Sequence, residues 1–103
     1  MWGRAFDGCT WDAEKSERCY DERGFDFDYA AKIFESDTIE WEDRRRDYGE
    51  PRFVTVGQVE DQILAVVWTP RNNLRRIISA RPASRREMER FYGDREAHQP
   101  RDS

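Results

Sequence analysis

Apolar residues in the N-terminal third fall at helical spacing. Phe27, Ala30, Ala31 and Phe34 recur at i, i+3, i+4 and i+7, with Ile33 beside them, and this stripe predicts a helix that buries one face. Asp26 stands where its cap would be. Just before it, Ala13 to Arg23 carries no β-branched residue and is bracketed by Asp12 as N-cap and Gly24 as C′ glycine, which predicts another helix. Further along the period changes. Arg52 to Val59 (RFVTVGQV), Gln62 to Thr69 (QILAVVWT) and Leu74 to Arg81 (LRRIISAR) read as strands, with Glu60-Asp61 and Pro70 to Asn73 as hairpin-sized linkers. They predict an antiparallel meander. Its middle run is apolar at consecutive positions, Ile63 to Trp68, as suits a strand covered on both faces. Short strands are expected within Phe6 to Trp11 and over Thr38 to Glu42, with a polar loop from Arg44 to Pro51. The last helix opens on Ser84-Arg85-Arg86-Glu87, an S-x-x-E capping box. Met88, Phe91 and Tyr92 should face the sheet, and Gly93 should end the helix.

This order predicts an α+β fold with two N-terminal helices, an antiparallel sheet of about four strands and a C-terminal helix. The 103 residues suit one domain, with an ordered core over about 6–93, a loose start at 1–5 and a polar tail over 94–103. Charged residues make up 39% of the chain, yet aromatic residues reach 14%, which argues against disorder. No apolar run approaches membrane-spanning length and no signal peptide is evident, so the cytoplasm is the expected compartment. Cys9, Cys19 and His98 cannot complete a four-ligand zinc site, and no Walker A, Rossmann or HExxH pattern occurs, so neither a metal nor a cofactor is expected. Cys19 reads as a small core residue.

Charge is unevenly spread. Acids outnumber bases thirteen to five over residues 1–43, whereas bases outnumber acids thirteen to nine over 44–103, and every base in that second part is arginine. Arginine offers a flat fork of donors that matches phosphate and stacks on bases. Strict alternation along the third meander strand places Arg75, Ile77, Ser79 and Arg81 on one face and Leu74, Arg76, Ile78 and Ala80 on the other. Arg81 then ends the strand, with Arg85 and Arg86 following in the first helical turn. Cations there oppose the helix dipole, which makes sense if an anion binds. The loop adds Arg44, Arg45, Arg46, Asp47, Tyr48, Glu50 and Arg52. Such a loop can supply phosphate clamps, a stacking ring and a carboxylate base, or it can be a solvated turn around a buried Tyr48.

Several segments, taken in order, resemble the BrnT family of bacterial toxins. They are Trp11-Asp12 with Lys15 running to Gly24, then Phe27, Ala30, Ala31 and Phe34, then Arg46 through Phe53 (RDYGEPRF), then Arg76 through Arg81 (RIISAR) with Ser84, Arg85, Glu87 and Tyr92. The resemblance implies a RelE-like fold and a metal-independent endoribonuclease that uses the 2′-hydroxyl of RNA against the adjacent phosphate. On that scheme Arg81 and Arg52 are expected to stabilise the scissile phosphate, with Glu50, Asp47 or Tyr48 as the candidates for moving protons. RNA-binding roles fall to Arg46, Arg85, Lys15 and Arg23. It also implies a BrnA-like ribbon-helix-helix antitoxin, acidic where it covers the arginines, with DNA reached only through that partner. A dimer or a heterotetramer with the antitoxin would be the assembly. The chain departs from the family pattern at Glu22-Arg23, where a Lys-His pair is usual, at Cys19 for asparagine and at Pro82 for arginine. A non-catalytic protein-interaction module on the same fold is the competing expectation.

Overall fold

The computed structural model describes residues 6–98; residues 1–5, expected to be a loose start, and 99–103, the end of the expected polar tail, lie outside them. The elements in order are β1 (Cys9–Trp11), α1 (Ala13–Arg23), α2 (Phe27–Ala30), a 3₁₀ turn (Ala31–Glu35), β2 (Thr38–Glu42), β3 (Phe53–Val59), β4 (Gln62–Arg71), β5 (Leu74–Pro82) and α3 (Arg85–His98). The fold is α+β, with three helices and one sheet in the order β1-β5-β4-β3-β2. The sheet has five strands where about four were expected. The fifth is β1, inside the Phe6 to Trp11 segment where a short strand was expected; it is three residues long and parallel to β5, while every other neighbouring pair is antiparallel. A strand so short has no periodicity of its own; its partner, more than sixty residues on, fixes it.

The caps form as the sequence suggests. Asp12 Oδ1 accepts from the backbone N–H of Glu14 (2.9 Å) and Lys15 (3.2 Å), and Gly24 closes α1 at φ 85°. Asp26 Oδ1 accepts from Tyr29 N at 2.9 Å. Beyond it the expected long helix is a single α turn that tightens into 3₁₀. Its buried residues are therefore spaced by three: Phe27, Ala30 and Ile33 are 2%, 0% and 0% exposed. Ala31 and Phe34, assigned to the core by a 3.6 period, are only half-buried. The backbone N–H of Phe27 donates to the buried Ser16 Oγ at 3.0 Å, which locks α2 to α1. The β4–β5 hairpin turns on Asn72 and Asn73, both at positive φ, as twisted two-residue turns require. α3 runs through Gly93 to His98, so that glycine does not end the helix.

Both faces of the central strands are covered. On one face Phe25, Phe27, Ala30, Ile33 and Cys19 pack against Leu64, Val66, Trp68, Ile77 and Ala80. On the other, Phe91 and Met88 of α3 pack against Val54, Val56, Ile63 and Ala65. Tyr92, expected to face the sheet, is 49% exposed and lies edge-on to Phe91. Gly57 lets the first layer close: a Cβ there would sit 2.9 Å from Ile33 Cβ.

One irregularity decides the chemistry. The β4–β5 register slips, so that Val67 faces Ser79 while Trp68 faces Ile77, and Ile78 is the extra residue of a bulge. The phase of β5 therefore flips halfway along. Ile77 and Ala80 share the aromatic layer, whereas Arg81 pairs with Ala65 and joins Ser79 and Arg76 on the α3 side. Strict alternation had placed Arg81 with Ile77 and Arg75; the bulge separates them.

Candidate functional site

Arg81 reaches the junction of β5 and α3 through this bulge, and the capping box of α3 holds it there. Glu87 Oε1 accepts from Arg81 Nη1 at 2.6 Å and Oε2 from Nη2 at 2.9 Å, a fork-on-fork pair. The same carboxylate accepts from Ser84 N at 2.8 Å, and Glu87 N donates back to Ser84 Oγ at 3.1 Å. Arg81, foremost, with help from the Ser84 N–H, holds the Glu87 carboxyl at about pKa 2. The same bond raises the Arg81 guanidinium above its ordinary value. The side chain is 35% exposed, so this fork is oriented and still open to solvent.

The loop between β2 and β3 folds around Asp43, a nearly buried carboxylate. Asp43 accepts from Arg45 Nε (2.9 Å) and Nη2 (3.0 Å), from the Arg45 N–H (3.2 Å) and from Tyr48 Oη (3.1 Å). Those bonds, Arg45 first, hold its carboxyl at about pKa 2. Asp43 N donates to Arg52 O at 2.8 Å and carries the β2–β3 ladder one pair further. The Arg52 guanidinium lies 4.0 Å from the Tyr48 ring centre and that of Arg46 5.8 Å. Arg52 Nε is buried and has no hydrogen-bond partner among the described residues. Arg45 lies within electrostatic reach of Arg81 and opposes its charge, so loop and strand end share one field. Phe53 belongs to the aromatic layer, so alternation turns Arg52 toward the Arg81 side. The two backbones stand roughly 13 Å apart along the strands and roughly 10 Å across them.

The remaining expected residues lie elsewhere. Glu50 Oε1 accepts from Arg71 Nη2 at 3.2 Å, at the exposed end of β4. Arg85 is solvent-facing and 3.5 Å from Glu89. Lys15 and Arg23 line a groove between α1 and β5, with Glu22 and Cys19 on the same wall. Trp68, the end of the apolar run, is core: 2% exposed, with Nε1 donating to Thr55 Oγ1 at 2.8 Å. Sequence reasoning gave no role to Asp43, took Arg45 only as one of several loop arginines and saw Glu87 only as a cap. The available signal was the Asp43-x-Arg45 spacing at the end of a strand, which brings a loop cation back onto a carboxylate.

Among the described residues no group of three or more His, Cys, Asp or Glu side chains is placed to hold a metal ion, and no helix is long and apolar enough to cross a membrane. The fold and site thus define a small α+β domain that presents oriented guanidinium groups on one face of its sheet. A family model described as the ribonuclease toxin, BrnT, of a type II toxin–antitoxin system matches residues 11–87, and the chain belongs to that family. The match ends on Glu87, the carboxylate that orients Arg81. No curated relative matches the chain significantly. Membership implies an antitoxin partner and an RNA substrate.

Proposed function

We propose that this chain is a metal-independent endoribonuclease on a RelE-like fold, neutralised by a BrnA-like ribbon-helix-helix antitoxin. The 2′-hydroxyl oxygen of RNA attacks the adjacent phosphorus, and the bond from phosphorus to the 5′-oxygen breaks. A 2′,3′-cyclic phosphate and a 5′-hydroxyl result, the proton lost from the 2′-oxygen being made up at the 5′-oxygen. The substrate supplies the nucleophile, so the protein's task is to hold and neutralise a phosphate whose charge grows in the transition state. The observation that carries this reading is the Arg81 fork, fixed by Glu87, partly open, with Arg45 in its field.

Arg81 engages the scissile phosphate, and Arg52, whose Nε has no partner among the described residues, completes the cationic face. Arg46, Arg85, Lys15 and Arg23 hold the flanking backbone. Tyr48, bonded to Asp43 beside Arg45, is the better placed proton carrier, because Glu50 is occupied by Arg71. Incubating RNA with purified protein and EDTA tests this. Cleavage with 5′-hydroxyl ends, lost in Arg81→Ala, is the expected result; intact RNA at every concentration would overturn it. One observation favours a second reading, a non-catalytic interaction module. Glu87 and Asp43 are both held near pKa 2, far from the neutral value that suits a general base. Intact RNA together with capture of the antitoxin would support that module.

A further inference from the structure

The outer edge of β5 is covered over only part of its length. β1 pairs with Arg75, Arg76 and Ile77, and the chain then turns into α1. From Ile78 onward that edge carries no strand among the described residues. α1 lies alongside it instead, and a groove opens between Lys15, Arg18, Glu22 and Arg23 on the helix and Ser79 and Ala80 on the strand. Cys19 Sγ donates to Ala80 O at 3.5 Å at its floor.

α1 sorts its charges by face. Lys15, Arg18 and Glu22, at i, i+3 and i+7 with Arg23 beside them, look onto the groove, whereas Glu14, Glu17 and Asp21 recur at the same spacing on another face. Lys15, Arg18 and Arg23 make no ion pair among the described residues. Arg44, Arg45, Arg71, Arg81 and Arg85 each have a carboxylate partner. The uncommitted cations of the N-terminal half thus line the strand edge that ends in Arg81.

We infer that this groove is a second backbone track, which takes the phosphates of single-stranded RNA flanking the one at Arg81. The inference rests on the ribonuclease reading above and adds Arg18 to the residues that meet RNA. Lys15 and Arg23 stand about 12 Å apart along the helix, enough for more than one phosphate. Glu22, one position before Arg23 on the same wall, opposes phosphate at that end of the groove. Arg81 points to the opposite face of the sheet from Ala80, so the bound strand must bend round the edge of β5 to touch both. A single strand makes that bend. A duplex, with a persistence length of about 150 base pairs, does not.

The test uses a fully 2′-O-methylated 20-nucleotide RNA, which lacks the attacking hydroxyl and stays intact, with fluorescence anisotropy read across a salt series on the full chain. The triple variant Lys15→Gln, Arg18→Gln, Arg23→Gln should lower the slope of log K against log salt by about 2, because each phosphate neutralised on a single strand adds about 0.7 to that slope. Lys32→Gln, a cation set over the Tyr29 ring, should leave it unchanged. A wild-type slope in the triple variant, with its melting temperature retained, would overturn the track. Equal affinity for the duplex of the same sequence would do so as well. Neither result touches the ribonuclease reading, which stands or falls on cleavage by the wild-type chain. The single variant Arg18→Gln, expected to lower the slope by about 0.7, keeps the test open if the triple variant fails to fold.

Discussion

Arg81 and Glu87 serve the fold and the site at once, and substitutions can separate the two roles. Arg81→Ala removes a fork-on-fork pair but leaves the Ser84–Glu87 cap, so a stability loss of about 1 kcal/mol is expected for a partner that is 35% exposed. Glu87→Ala loses the pair and one side of the cap together, and about 2 kcal/mol is expected by urea unfolding. Arg81→Lys keeps the charge without the fork. It should fold like the wild type and cleave poorly, because an ammonium cannot span two phosphate oxygens in the same way. The acid limb of stability carries the same signature. Glu87 and Asp43 are both depressed to about pKa 2, so their contribution is complete above the ordinary carboxylate range and is lost as pH falls from about 4.5 toward 2. Melting temperature measured from pH 6 to pH 2 should fall in that window. In Glu87→Gln it should fall less steeply, since one of the two protonation events is gone.

At the scale of elements, legibility followed the range of the forces involved. Asp12, Gly24, Asp26 and the Ser84–Glu87 box act within four residues, and each was readable from spacing. The five strands differ: β3, β4 and β5 announced themselves, because their runs are long and apolar, whereas the place of β1 depends on pairing with a distant strand. The bulge at Ile78 left no mark, since LRRIISAR alternates equally well in either phase. That one slip decides which arginines share a face, so the candidate site could be populated from sequence but not assembled. The 3₁₀ turn was hidden likewise, by a stripe that fits a 3.6 period while burying at a period of three. Ile33→Ala should therefore cost about 2–5 kcal/mol, because Ile33 is fully buried against Gly57. Phe34→Ala, half-buried and edge-on to Trp68, should cost clearly less than the roughly 3–5 kcal/mol of a core phenylalanine. Chemical denaturation of the pair checks the order; Phe34→Ala proving the more damaging would restore the regular helix.

At the scale of the whole molecule, the acidic and basic halves of the sequence are not separate layers. The strand order sends β1 and β2, both from the acidic half, to opposite edges and sets the basic half between them. Glu42 with Arg44, Asp43 with Arg45 and Glu87 with Arg81 then neutralise arginines locally, so the excess of arginine overstates the free positive charge. The central strands also join the two core layers. β4 sends Leu64 and Val66 into one and Ile63 and Ala65 into the other, and neither layer can open without releasing β4. Unfolding should thus be a single transition. Leu64→Ala in the first layer should cost about 2–5 kcal/mol and Phe91→Ala in the second about 3–5 kcal/mol. Calorimetry should give equal calorimetric and van't Hoff enthalpies for the wild type and for both variants. A different outcome for Phe91→Ala, an early loss of helical signal followed by unchanged melting of the Trp68 layer, would mean that α3 undocks on its own. Arg81 would then be released from Glu87 before the fold is lost, because the cap that holds it belongs to the first turn of that helix.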